Sequence, residues 1–489
     1  MLPNVRVNVT EEVSLNSNGL NSFLPLVILK TKTGPIGTET LIRSPKAFVK
    51  TFGTPDADTP EAFGLYNYIK NFGSAYVLRV AGSTAAKGTC EIKAGNIKLV
   101  GIETVDKTDY FNGIEVNLIY DGNSNKLYLT STVEGKLVAS ARESINYSEA
   151  GADDLEAALN KVVNSFNDAQ TAFVATNAFT NKTSEDDKPD AFETITGTIG
   201  SGISGNAGVT DSIVTEAIER FRHSDIGIDA ILTPGFESTD VVTKLANVAN
   251  DSSFIALASV TGSTATAIET VAMYYPASSS LILYADKVYL NEDPTIPVPA
   301  CIAVMPAYIN RDLSSKWLAP AGVTRATLTD VNSLVNELDD ENLEELYTAD
   351  RPVNGIKRIS GRGYVVWGQK TTSQDTTQYQ DRANVVRLCK YLEKEIYRIS
   401  YDYLFEPITE YTYNSWTLSV ESILEEIKRG NGLSEYKVVM DDTLNTEETK
   451  KENKLIGQVK FKPLEAAEFI EINFVVTDTI DVSTSEGGY

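Results

Sequence analysis

Both ends of the chain carry strand patterns, and the first has nothing nearby to pair with. Val5, Val7 and Val9 alternate with Arg6, Asn8 and Thr10, and Ile470, Ile472, Phe474 and Val476 share one face of a run over residues 469–476. A period of two marks a half-buried strand. The first run is followed by Asn16-Ser17-Asn18-Gly19, a loop signal, and no hairpin partner lies close by. A strand with no partner leaves its N–H and C=O groups unsatisfied. The N-terminal strand must therefore pair far away in the chain, or on another chain.

The 489 residues are too many for one core and predict roughly three or four domains. Lys plus Arg number 43 against 67 Asp plus Glu, a formal net charge of −24. That balance argues against direct nucleic-acid binding, which rests on neutralising phosphates, and against an anionic membrane surface. It suits a partner with a basic patch. The N-terminus lacks a signal peptide's basic and apolar regions. No apolar run approaches the roughly 18 residues that span a bilayer. The expectation is a cytoplasmic product, released only by lysis.

Catalytic chemistry finds little to build on. Cys90, Cys301 and Cys389 are odd in number and far apart, without a C-x-x-C pair, so neither a disulfide framework nor a thiolate zinc site is expected. A single histidine, His223, excludes metal sites built on several imidazoles. His223-Ser224-Asp225 is not a triad, whose members meet in space rather than in sequence; His223 reads as the end of a helix. Gly200, Gly202 and Gly205 fit G-x-G-x-x-G, but Asn206, Ala207 and Gly208 prolong the turn before any helix. A dinucleotide site needs a tight strand–turn–helix, so this segment reads as a linker. Asp121-Gly122-Asn123-Ser124-Asn125 lacks a calcium loop's downstream Glu and reads as a hairpin turn. No P-loop is present, and no catalytic residue, cofactor site or metal ligand is assigned. An α/β hydrolase-like enzyme and a nucleotide-binding module remain as alternative readings.

Along the chain, residues 24–90 alternate strand and helix, with Ser44-Pro45 and Thr59-Pro60 as helix starts. The second helix is expected to bury Phe63, Tyr66 and Ile69 and to stop at Gly73. From about 90 to 190, short β runs are separated by Asn, Asp and Gly turns. From 210 the αβ rhythm is firm, which predicts a largely parallel sheet covered on both faces. A long helix is predicted over 383–405 and another over 415–429, followed by strands over 436–440 and 455–462. Arg387, Lys390, Lys394 and Arg398 recur at helical spacing and form a basic stripe.

Several short motifs keep a common order. They run from Gly34-Pro35-x-Gly37 and Phe52-Gly53 through Lys316-Trp317 and Pro320-Ala321-Gly322. Then come Gly361-Arg362-Gly363-Tyr364-Val365-Val366-Trp367-Gly368, Arg387-Leu388 and Phe405-Glu406-Pro407. Together they resemble the tail sheath proteins of contractile bacteriophages and related injection machines. The Asn112–Gly113 order departs from the family's Gly-Asn pattern.

The resemblance implies an α/β multidomain chain: a subtilisin-like α/β sheet domain, an inserted mostly-β sandwich and an α+β C-terminal domain. The expected boundaries are 1–20 for an N-terminal arm, 21–89 for the first part of the core, 90–190 for the insertion, 191–350 for the subtilisin-like domain, 351–476 for a tube-facing domain and 477–489 for a C-terminal tail. It implies a sheath of stacked six-fold rings around an inner tail tube, contacting baseplate and terminator proteins, in a virion tail assembled in the host bacterial cytoplasm. The likeness to subtilisin is one of fold, and protease activity does not carry over. The terminal strands are then expected to add to sheets of neighbouring subunits, and the basic stripe to face an acidic tube.

Overall fold

The computed structural model describes residues 23–133, 136–179, 188–190, 192–224, 226–312, 315–374 and 380–468. These form a mixed α/β protein with several sheets. The chain divides into two compact units, Met1–Phe405 and Glu406–Tyr489.

The first unit opens with β1 (Pro25–Leu29), β2 (Glu39–Ile42), α1 (Pro45–Phe52), α2 (Pro60–Asn71) and β3 (Ala75–Arg79). Ser44 accepts a hydrogen bond from the Ala47 amide at 3.2 Å with Pro45 at the first helical position, the start expected for α1. Thr59 precedes α2 but makes no such cap; its hydroxyl accepts from the Asp56 amide instead, at 3.4 Å. Tyr66 is only half-buried, and Tyr68 is buried with Phe63, Leu65 and Ile69. The helix is enclosed on more than one side, and Gly64 lets Val298 approach where a Cβ would sit 2.4 Å from its methyl. Gly73 follows the helix end, but it lies against the Ile309 side chain rather than in a left-handed turn.

The chain then leaves the core for β4 (Lys87–Ala94), β5 (Ile97–Lys107), β6 (Glu115–Asp121), β7 (Lys126–Val133), β8 (Lys136–Ser144), α3 (Ala152–Ala169), β9 (Phe173–Asn177) and β10 (Thr194–Thr198). These make two antiparallel sheets, β4-β5-β9 and β10-β6-β7-β8. Alternate residues of both, among them Ile92, Val100, Val116, Leu118, Leu127 and Leu129, meet Leu155, Leu159, Val162 and Phe166 of α3 in one core. The turn between β6 and β7 is built as expected: Asp121 accepts from the Asn123 amide at 3.0 Å and the Ser124 hydroxyl at 2.6 Å, and Asn125 is left-handed.

On return the chain forms α4 (Asp211–Glu219), β11 (Ala230–Leu232), α5 (Thr239–Asn250), β12 (Ile255–Val260), α6 (Ala265–Ala272) and β13 (Leu281–Ala285). The central sheet has the order β13-β12-β11-β1-β3-β2, parallel except for the edge strand β2. Its inner strands are apolar at nearly every position, because both faces are covered. Val27, Leu29, Leu232, Leu257 and Ile282 face the side of α1 and α2. Leu26, Ile28, Ile231, Ala256 and Leu283 face α4, α5 and α6. A one-residue slip would exchange these sets.

Next come β14 (Lys287–Leu290), β15 (Pro297–Pro299), α7 (Ala300–Ala303), α8 (Met305–Asp312), β16 (Thr327–Leu328), β17 (Val331–Leu334), α9 (Asp340–Thr348), β18 (Gly355–Ile359), β19 (Gly363–Trp367) and α10 (Ala383–Tyr401). Two small sheets, β15-β14-β17 and β16-β19-β18, result. Buried Asn354 binds this region to the core: its side-chain amide donates to the Leu283 and Lys370 carbonyls at 3.0 and 2.8 Å, and its Oδ1 accepts from the Lys370 amide at 2.8 Å.

The second unit holds α11 (Glu410–Arg429), β20 (Leu433–Val439), α12 (Glu447–Lys451) and β21 (Gln458–Pro463). Tyr413, Trp416, Val420, Leu424 and Ile427 recur at helical spacing and are buried. Gly430 and Gly432 flank the end of α11, and the left-handed residue is Asn431 between them, φ 58°. Strands β20 and β21 pair antiparallel as a two-stranded sheet.

Candidate assembly interface

The sites that catalysis would use are occupied by structural duties. His223 lies beyond α4 in a left-handed turn, φ 57°, and its amide donates to Ser252 Oγ at 3.2 Å. Among the described residues, no group of three or more His, Cys, Asp or Glu is placed to hold a metal ion. Burial pushes the thiols of Cys90 and Cys389 up to about 11 and that of Cys301 up to about 12. None is a ready nucleophile at neutral pH.

The Gly200–Gly205 segment is a closure, not a phosphate cradle. Gly200 and Thr89 exchange backbone hydrogen bonds at 2.9 and 3.1 Å, and Ile203 does the same with Ala86 at 2.9 Å each way. A Cβ on Gly202 would lie 2.0 Å from the Thr108 carbonyl oxygen, so only glycine lets these passes approach. Arg79, fully buried, donates to the carbonyls of Gly34 at 2.7 Å and Ser204 at 2.9 Å.

The basic stripe on α10 faces the chain's own core for most of its length. The Arg387 guanidinium is buried over the Tyr308 ring at 4.9 Å, and the Tyr308 hydroxyl bonds that of Tyr284 at 2.7 Å. Lys390 donates to the carbonyls of Asn250 and Ser252, and burial lowers its pKa despite Glu393 nearby. Lys394 donates to the Gly227 carbonyl at 2.8 Å and lies 3.7 Å from Asp229. Asp229 also receives Lys316 at 3.3 Å. Arg398 differs: its side chain is 69% exposed and pairs with Glu395 at 2.6 Å on the same helix. Spacing groups these four residues, and the fold separates one from the other three.

Beside Arg398 the end of α10 presents apolar surface. Tyr397 and Tyr401 lie 6.2 Å apart, centroid to centroid, and both are exposed, as are Leu404 and Phe405. Phe405 is 94% exposed, unusual for a large apolar side chain. The Phe405-Glu406-Pro407 motif marked this point, but no pattern in the sequence marked its exposure.

The terminal strand candidates Val5, Val7, Val9, Ile470, Ile472, Phe474 and Val476 lie outside the described residues. What the structure does hold is a sheet with room for such strands: β20 and β21 pair only with each other among the described residues, so each keeps one free edge.

Residues 375–477, which take in α10, α11 and this sheet, match the family model of the phage tail sheath C-terminal domain. In sequence the chain is 31% identical over 191 residues to the tail sheath protein of Vibrio phage KVP40. That match covers 39% of this chain and 28% of the phage protein, well under half of the relative's length. In fold it is similar to the sheath tail protein of Listeria innocua, with a TM-score of 0.62, 11% identity and coverage of 92% and 93% of the two chains. It is also similar to the sheath complex of PVC, an extracellular contractile injection system, in its contracted state, with a TM-score of 0.56, 15% identity and 97% of each chain covered. These matches name structural tail proteins rather than enzymes. The chain thus resembles the contractile phage tail sheath proteins in sequence and fold, and its residues 375–477 carry the phage tail sheath C-terminal domain.

Proposed function

We propose that this chain is the structural subunit of a contractile tail sheath, polymerising as stacked hexameric rings around an inner tail tube and contracting to drive that tube through a cell envelope. The observation that carries the reading is the two-stranded sheet β20–β21, which among the described residues keeps a free edge on each strand and lies inside the region matching a sheath C-terminal domain. A two-stranded sheet is marginal alone and is completed by added strands. The strand-patterned ends at Val5–Val9 and Ile470–Val476 supply them from neighbouring subunits. Head-to-tail contacts of this kind build rings and helices rather than closed dimers.

Such tethers persist while the globular parts repack, so the lattice shortens without dissociating. The drive is the difference between an extended, metastable lattice and a contracted one, and no nucleotide enters. The six-stranded sheet with helices on both faces is the subtilisin-like core, and the two sheets sharing α3 are the inserted sandwich. The tube-facing role proposed for Arg387, Lys390, Lys394 and Arg398 is narrowed to Arg398, beside Tyr397 and Tyr401. Inner tube, baseplate and tail terminator proteins are the partners, in a virion tail assembled in the host bacterial cytoplasm.

Negative-stain microscopy of the full chain beside a variant lacking residues 1–15 tests the reading. Hollow striated cylinders are expected from the first alone, with or without co-expressed tube protein. Small discrete particles from the full chain under both conditions would overturn it.

A further inference from the structure

The two faces of the β20–β21 sheet differ sharply. On one, Tyr436 lies opposite Phe461 and Val438 opposite Val459, and α11 packs there: the Tyr436 hydroxyl bonds Glu425 at 3.0 Å, and Lys428 lies 5.6 Å from the Tyr436 ring centroid. The other carries Glu435, Lys437, Lys460 and Lys462, all exposed. Glu435 faces Lys462, but Lys437 faces Lys460 directly. Like charges directly opposite one another oppose strand pairing. Among the described residues neither lysine has an ion-pair partner; Asp441, which feels Lys437, accepts from the Thr443 amide at 2.9 Å.

The first unit holds the complementary defect. Residues 337–350 contain Glu337, Asp339, Asp340, Glu341, Glu344, Glu345 and Asp350, and no Lys, Arg or His; all of these carboxylates are exposed. Asp340 pairs with Lys357 at 2.7 Å, while Glu341, Glu344 and Glu345 have no ion-pair partner among the described residues. Acidic residues at the start of α9 suit the helix dipole. Glu345 lies in its last turn, where the dipole disfavours negative charge and no basic residue compensates.

We propose that the lysine face of β20 and β21 docks on the acidic face of α9 in a second copy of this chain. The inference rests on the reading of the chain as a self-assembling subunit, and names a contact made by a sheet face rather than a strand edge. Both edges stay free for added strands, so face and edge contacts coexist. Because two different patches meet, the contact can pass on from copy to copy. Because it is largely between exposed charges, it weakens as salt rises.

The test uses the full chain, half of it labelled with heavy nitrogen, assembled and treated with a carbodiimide that joins only touching carboxylates and amines. Peptide mass spectrometry is expected to find amides between Lys437 or Lys460 and Glu341, Glu344 or Glu345 that combine light and heavy chains. In parallel, a K437E/K460E chain and an E344K/E345K chain should each assemble at least several-fold less than wild type at equal melting temperature, and recover when mixed. Amides confined to single-isotope pairs, or reversals that assemble like wild type, would overturn the contact. Cylinders without these amides would sink this inference alone; an absence of cylinders under every condition would sink the sheath reading with it.

Discussion

The guanidinium of Arg79 donates to the carbonyl of Ser204 at 2.9 Å across 125 residues of chain. With its second bond, to the Gly34 carbonyl at 2.7 Å, it joins the end of β3 to the segment by which the chain re-enters the core. Arg79→Ala leaves both carbonyls facing a void. A loss of about 3 kcal/mol is expected, read by urea unfolding, with faster proteolysis near residues 199–208. Unchanged stability would show that the closure holds without it.

Gly202→Ala tests the same closure from the other side. Its Cβ would overlap the Thr108 carbonyl, so the passes must separate, at about 1–3 kcal/mol. If the glycines served a nucleotide, the variant would lose ligand affinity while melting normally. The expected result is a lower melting temperature.

The α10 cations should divide by experiment as they do by geometry. Lys390→Met removes bonds to two carbonyls and should cost about 2 kcal/mol. Arg398→Glu should leave the melting temperature within a degree or so and lower co-sedimentation with tube protein. Equal attachment of both variants would remove Arg398 from the tube contact.

Two carboxyls near the ends of the central strands predict a pH dependence. Burial holds Glu61 above the usual carboxylate range. Burial does the same for Glu237, reinforced by Asp286 and Glu61 and opposed by the bond from Thr261 and by Lys287. A carboxyl with a raised folded-state pKa adds stability as pH falls through that value. Glu237→Gln, which keeps an acceptor for Thr261, should therefore melt higher than wild type at neutral pH. The gap should shrink as pH falls and close by about pH 3, where the acid is protonated in both states. A constant gap across the titration would count against this.

Much of the core was legible because its signals are local. The apolar runs of β11, β12 and β13 and the cap at Ser44 follow from period and hydrogen-bonding chemistry, whereas the cap expected at Thr59 does not form. What was not legible depends on contacts between distant segments. Tyr68 rather than Tyr66 is buried because α2 is enclosed by β15 and α7 as well as the sheet, which helix period alone does not reveal. The stripe at Arg387, Lys390 and Lys394 reads as a face turned to a partner until Asn250, Ser252 and Gly227 are seen to offer their carbonyls to the two lysines. The opposition of Lys437 and Lys460 depends on a register shifted by a bulge near Leu433, and no spacing within either strand encodes it.

The side-by-side passage of Ala86 and Ile203 also bears on how such a chain diversifies. Residues paired across an antiparallel ladder lie only about 5 Å apart, so the chain leaves and rejoins the core at almost one point. Everything between them is, for the central sheet, a detour of negligible span. Lineages can lengthen, shorten or exchange that detour by recombination while the path from β3 to α4 stays unchanged.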